Sequence, residues 1–181
     1  DRVMDRTLLG VELTASQFGA MNSFFIFLFA PVFAWLWTVL GRRGLEPSTP
    51  LKFSLGIAQA GLGFCALVFG AASPNEAGLV AAYWMVLAYL LHTTGELCLS
   101  PVGLSAVTKL AVPGVVGVMM GAWFLATAYS EFVAVQLAKL AAIETVDGAV
   151  ADTGTALASY TELFTNLGYI GLGCAALLLL A

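Results

Sequence analysis

Charge is what this chain has least of. Seven lysines and arginines and eleven aspartates and glutamates are spread over 181 residues, with a single histidine and a net charge of −4. Without a basic surface there is nothing here to hold nucleic acid. Cysteine is scarce as well: Cys65, Cys98 and Cys174 stand in apolar runs without CxxC spacing. That argues against a metal site or a disulfide framework and leaves them to be read as small buried hydrophobes. The chain has no low-complexity linker and no signal-peptide pattern. Opening on Asp1 and closing on "ALLLLA", it is expected to be part of a longer protein.

Apolar residues take the place of charge. Sixty per cent of the chain is hydrophobic and 10% charged, against about 25% charged in an ordinary soluble domain, and the mean hydropathy is +0.94. This composition belongs in a lipid bilayer. Residues 18–40, 53–75, 110–130 and 163–181 carry no charge. Each run is long enough to cross a hydrocarbon core about 30 Å thick. Residues 77–108 hold one formal charge, Glu96, and are too many for one straight crossing. They suit a single helix with an interrupted end, because Gly95 and Gly103 flank Pro101, which lacks the N–H that would bond the Leu97 carbonyl.

The expected fold is all-α and integral to the membrane, with five transmembrane helices near residues 18–40, 53–72, 79–105, 114–138 and 160–181. Pro31 frees the Phe27 carbonyl and is expected to bend the first helix. Repeated glycine and alanine, as in "GIAQAGLGFCALVFGAA", let helix backbones approach where lipid supplies no hydrophobic drive between them. The connections are short except for an acidic one around Glu144, Asp147 and Asp152. Arg42, Arg43 and Lys52 share the first connection and Lys109 falls in the third, so the positive-inside rule makes both cytoplasmic. Arg2 and Arg6 then lie outside, accompanied by Asp1, Asp5 and Glu12.

Glu96 is the residue to explain. An ionised carboxylate at mid-membrane costs about 2.5–3.5 kcal/mol even on the lenient insertion scale, so it is expected to face a bundle interior or a cavity. Its structural alternative is a protonated acid donating to a neighbouring helix. His92, Glu96 and Ser100 recur at i, i+4 and i+8 along one helical stripe. A histidine and a glutamate four apart would suit a metal, but no third ligand accompanies them. The Ser100 hydroxyl has two readings, one in a site and one satisfying a carbonyl freed by Pro101. Asn22 is either glue between helices or, if it faces the same cavity as Glu96, a ligand group. Trp123, Phe124 and Tyr129 add aromatic surface, read as packing or as a belt near a membrane interface. Glu131 is read as a gate or interface residue near the outer end of its helix.

Three stretches carry a resemblance. "GELCLSPVGLSAVTKLAVP" (residues 95–113) is similar to the signature near the tenth transmembrane helix of the proton-coupled oligopeptide transporter (POT) family, in the major facilitator superfamily. "DRVMDRTLLGVELTASQFGAMNSFFIFLFAPVFAWLW" resembles the passage into that family's helix eight, and "GVMMGAWFLATA" its helix eleven. With "SYTELFTNLGYIGLGCAALLLLA" as helix twelve, the resemblance implies a C-terminal bundle without helix seven, whose partners are that helix, the N-terminal bundle and the lipid.

It also implies symport of di- and tripeptides with protons across the cell membrane, the inner membrane if bacterial. No enzymatic activity is implied, and no cofactor beyond the proton as coupling ion. Residue by residue, Glu96 matches the carboxylate that engages the peptide's amino terminus, and Ser100 a serine one turn along the same wall. Asn22 matches an asparagine contacting the peptide backbone or amino end, and Trp123 a tryptophan lining a side-chain pocket. Two departures stand out: Asn22-Ser23 where the family usually reads Asn-Pro, and Val112 inserted before Pro113. A relative of the same fold carrying nitrate or another small organic solute is the alternative. An acid–base enzyme using Glu96 and His92 is a second one, for which no nucleophile or metal set is found.

Overall fold

The computed structural model describes residues 3–8, 10–76, 78–140, 145–146, 149–150 and 153–180. Five long helices dominate it: α1 (Ala15–Arg42), α2 (Thr49–Ala71), α3 (Ala82–Leu110), α4 (Val116–Leu140) and α5 (Thr153–Leu179). α1, α2, α4 and α5 are long and apolar enough to cross a membrane. α3 is the longest at 29 residues, and its apolar sequence is diluted by His92, Thr93, Thr94 and Glu96.

Helix starts follow local chemistry. The backbone N–H of Thr14 donates to Gln17 Oε1 at 2.8 Å, closing half of a capping box at the head of α1. Ser48 caps α2 by accepting from the Leu51 N–H at 3.4 Å, with a proline in the first turn where no donor is needed. α1 stops at a left-handed Gly44 (φ +66°), and the Leu45 N–H reaches back to the Leu40 carbonyl at 2.9 Å. Short strand pairs hold the outer segments: Met4–Asp5 (β1) runs parallel to Val80–Ala81 (β4), and Thr7–Leu8 (β2) pairs antiparallel with Val11–Glu12 (β3). A further antiparallel pair joins Thr145–Val146 (β5) to Ala149–Val150 (β6). Met4, Phe18 and Ala82 form a small buried cluster, with Met21, Met85 and Tyr89 packed on it, where the first strand closes over α1 and α3. Arg6 pairs with Glu12 at 3.1 Å there.

Small residues decide which helices touch. α2 packs chiefly on α3 and α5, and α1 and α4 each lean on α3. At the α2–α3 crossing a Cβ on Gly56 would stand 2.7 Å from the Gly95 carbonyl oxygen, and one on Gly95 would stand 2.6 Å from the Gly56 carbonyl. At the α2–α5 crossing a Cβ on Gly61 would lie 3.1 Å from the Leu172 backbone nitrogen. Ser54, buried in α2, donates to the Ala175 carbonyl of α5 at 2.7 Å. This is close backbone packing with polar glue, the mode expected where lipid competes with apolar contacts.

The interruption expected at Gly95, Pro101 and Gly103 is absent, since α3 runs unbroken from Ala82 to Leu110. Proline forfeits one hydrogen bond without ending the helix, and the two glycines serve neighbours: Gly95 admits α2 and Gly103 admits the Trp123 ring. α1 likewise continues through Asn22-Ser23 and Pro31. The cysteines divide. Cys98 is buried and accepts from Gln59 Nε2 at 3.6 Å, Cys65 is half-buried, and Cys174 is exposed, against the expectation of three buried thiols. Asp1, Arg2, Glu144, Asp147, Asp152 and Ala181 lie outside the described residues.

Two of the basic residues assigned to the first and third connections come together. Lys52 and Lys109 line one recess with Trp37, Glu46, Thr49 and Ser105, where the ends of α1 and α3 meet the start of α2. Lys52, whose side chain is 8% exposed, is ion-paired with Glu46 and lies 4.7 Å from the Trp37 ring centroid. The ammonium's hydrogen bond, then its charge, holds the Glu46 carboxyl below the usual carboxylate range. A depressed carboxylate favours the folded state above its unfolded value and loses that contribution as pH falls through the folded one.

Candidate functional site

The polar residues of α3 reach two neighbouring helices, α1 and α2. Glu96 stands on a flank of α3 left open by the bundle, and its Oε2 accepts a hydrogen bond from Asn22 Nδ2 on α1 at 3.3 Å. The Asn22 amide oxygen in turn accepts from the Thr93 hydroxyl. Thr93 is fully buried and sits three residues before Glu96, hence on nearly the same side of the helix. Asn22 therefore ties α1 to α3 and meets the carboxylate.

Two members of the expected stripe go elsewhere. His92 Nε2 donates to the Ala60 carbonyl on α2 at 3.0 Å, and its ring meets Phe64 edge-on with centroids 4.7 Å apart. A half-buried imidazole so placed fastens α3 to α2. Ser100 is exposed, and among the described residues its hydroxyl bonds neither Glu96 nor the backbone around Pro101. One helical turn beyond Glu96, it stands on the same wall without touching it.

Trp123 comes from α4. It is half-buried, and its ring lies directly over Gly103, where any Cβ would overlap it. With Phe53, Ala106, Val107 and Met119 the indole lines an apolar recess between α3 and α4. Gly103 is seven residues from Glu96, about 10 Å along the helix axis at 1.5 Å per residue. Trp123 and the carboxylate thus occupy separate levels of one wall, apolar at one and polar at the other. Phe124 and Tyr129 are exposed on α4, Tyr129 stacking on Phe132. Glu131 is exposed as well, and Lys139 reaches Gln136 at 3.4 Å.

Sequence reasoning missed Thr93. Beside Glu96 a threonine in an apolar run looks like any β-branched helical residue. The available signal was its position, three residues before the one carboxylate in the span.

The arrangement offers a carboxylate with one oxygen engaged by an amide and the other side open, at the junction of α1 and α3. Such a group can pair with a cation such as an ammonium through charge-assisted hydrogen bonds. An apolar ring stands further along the wall.

The chain is similar to known transporters over most of its length. It is 50% identical over 134 residues to an uncharacterized transporter, YclF, of Bacillus subtilis, a match covering 74% of this chain and 27% of that protein. It is 34% identical over 177 residues to dipeptide and tripeptide permease A of Edwardsiella piscicida, covering 98% of this chain and 35% of the permease. In structure it superposes on a crystallised peptide transporter bound to sulfate with a TM-score of 0.79 and 35% identity, covering 97% of this chain and 32% of that one. The chain spans about a third of the length of these relatives. Residues 2–156 match the family model described as the POT family, and with five long helices, four of them apolar enough to cross a bilayer, the chain belongs to that family of multi-pass membrane transporters.

Proposed function

We propose that this chain is the C-terminal, amino-terminus-binding part of a proton-coupled symporter of di- and tripeptides in the cell membrane. The observation that carries the reading is the Asn22–Glu96 contact: the one acidic residue of α3, held by an amide from the next wall and open on its other side. The names of the permease relatives support peptides as cargo. An ammonium is what a membrane carboxylate can pair with when loaded, and a proton is what it can carry when not. The substrate path then lies between this bundle and a second one, with α1, α3 and α4 facing it, and the two bundles rock about the midplane.

The test is uptake of labelled dialanine into vesicles containing the complete transporter. An inward proton gradient is expected to drive accumulation of intact dipeptide, and a protonophore to abolish it. Accumulation indifferent to the gradient would overturn the coupling, and preference for an anion such as nitrate over the dipeptide would overturn the cargo.

Trp123 is assigned to a side-chain pocket. Trp123→Ala in the complete transporter is expected to cost aromatic dipeptides roughly three- to tenfold in affinity, the worth of one aromatic contact, while dialanine changes by less than about twofold. Competition binding with both ligands measures the split. Equal losses would assign the indole to packing against Gly103 instead.

A further inference from the structure

We infer that Thr93 is a positioning residue for the amino-terminus site, anchoring the Asn22 amide through its oxygen while its NH2 group faces Glu96. The inference rests on the reading of Glu96 as the ammonium-binding carboxylate and adds a residue that neither the motif nor the family resemblance singled out.

The argument begins with what threonine does in a helix. Its hydroxyl normally returns to a carbonyl three or four residues back. Thr38, Thr94, Thr108, Thr127, Thr161 and Thr165 all do this, at 2.7 to 3.1 Å. Thr93 instead crosses to α1 and donates to Asn22 Oδ1. It is also fully buried, so the hydroxyl has no water or headgroup to turn to.

An asparagine amide has two nearly equal faces, an oxygen that accepts and an NH2 that donates, and only its partners decide which way it lies. An ionised carboxylate accepts and cannot donate. With the Thr93 proton on Oδ1, the NH2 is left pointing at Glu96, where it bonds Oε2 at 3.3 Å. Turned over, the amide would set its oxygen against the carboxylate and repel it. A threonine hydroxyl can accept as well as donate, so the carboxylate is what rejects the turned-over amide. Thr93, by donating to Oδ1, holds Asn22 where its NH2 group steadies Oε2 and leaves Oε1 for a ligand's ammonium. The three residues act in series, with Thr93 setting Asn22, Asn22 setting Glu96 and Glu96 meeting the ligand.

The experiment uses the complete transporter and two probes, dialanine and N-acetyl-dialanine, in equilibrium binding. Thr93→Val keeps the shape and removes the hydroxyl. It is expected to weaken dialanine roughly three- to tenfold, the worth of one neutral hydrogen bond, and to leave the acetylated peptide within about twofold. Thr93→Ser should restore wild-type affinity, because it returns the donor. In an Asn22→Ala background Thr93→Val should add nothing, since the link it acts through is gone. Equal weakening of both probes, failure of the serine to rescue, or full additivity with Asn22→Ala would each overturn the proposal. Should Thr93→Val not fold, Thr93→Ala takes its place. If neither folds while Thr93→Ser does, the hydroxyl is structural and the proposal falls. A wild-type transporter that ignores dialanine, or a Glu96→Gln variant that binds it normally, would instead overturn the reading of the site itself.

Discussion

Replacing Glu96 by glutamine in the complete transporter is expected to weaken binding of free-amino dipeptides roughly ten- to hundredfold, while an N-acetylated dipeptide loses much less. The substitution keeps the shape of the side chain and leaves an amide oxygen that Asn22 Nδ2 can still reach, so the link between α1 and α3 survives. What disappears is the charge. A hydrogen bond to a charged group contributes about 1.5–3 kcal/mol, and each 1.4 kcal/mol is about tenfold in affinity, which sets the expected range. The acetylated peptide has no ammonium and therefore nothing to lose at that oxygen. Titration of both ligands into both proteins decides it. If the two ligands weaken alike, or the variant binds the free dipeptide as tightly as the wild type, Glu96 is a structural acid.

The centre of this site was legible in the sequence because lipid makes charge conspicuous. One carboxylate in a long uncharged stretch stands out by cost alone, and Asn22 stands out in the same way in its own helix. Spacing was a poorer guide. His92 and Glu96 share a stripe, yet one turn of helix was enough to send the imidazole to Ala60 of α2 and the carboxylate to Asn22 of α1. Periodicity says which residues share a face of one helix, and which neighbour covers that face is decided by packing. Thr93 was invisible for a related reason, since whether a helical hydroxyl returns to its own backbone or crosses to a partner depends on what lies opposite.

The fold was legible at the level of spans, and the glycines were legible only as a class. Their abundance announced close packing. Which pairs meet, Gly56 with Gly95 and Gly61 with α5, required the helices to be set against one another. Pro101 illustrates the opposite error. Flanked by Gly95 and Gly103 it reads as a break, but a helix held by α2 on one side and by the Trp123 ring on another tolerates one missing hydrogen bond. Tertiary packing outweighed local propensity there, and the glycines that suggested weakness are the points where neighbours hold α3.

That reversal gives the second large effect. Gly56→Ala is expected to destabilise the complete transporter by about 1–3 kcal/mol, although alanine is the better helix former by about 1 kcal/mol. The new Cβ would stand 2.7 Å from the Gly95 carbonyl oxygen and 2.7 Å from the Leu99 side chain. The Leu99 side chain can rotate away, but the carbonyl is backbone and can retreat only if α2 and α3 separate. Separation would draw α3 away from the contacts made by His92 and Gln59, and with it the wall that presents Glu96. Gly173→Ala is the matched control. It lies in α5 with nothing within 4 Å of a new Cβ, so there the propensity gain of about 1 kcal/mol should act alone and leave stability equal or slightly raised. Thermal unfolding of the two variants in one detergent reads the difference: Gly56→Ala should melt below the wild type and Gly173→Ala at or above it. Dipeptide affinity should weaken in Gly56→Ala and hold in Gly173→Ala. If Gly56→Ala melts with the wild type and binds dipeptide normally, α2 and α3 do not meet at these two glycines, and the close crossing that places Glu96 is wrong.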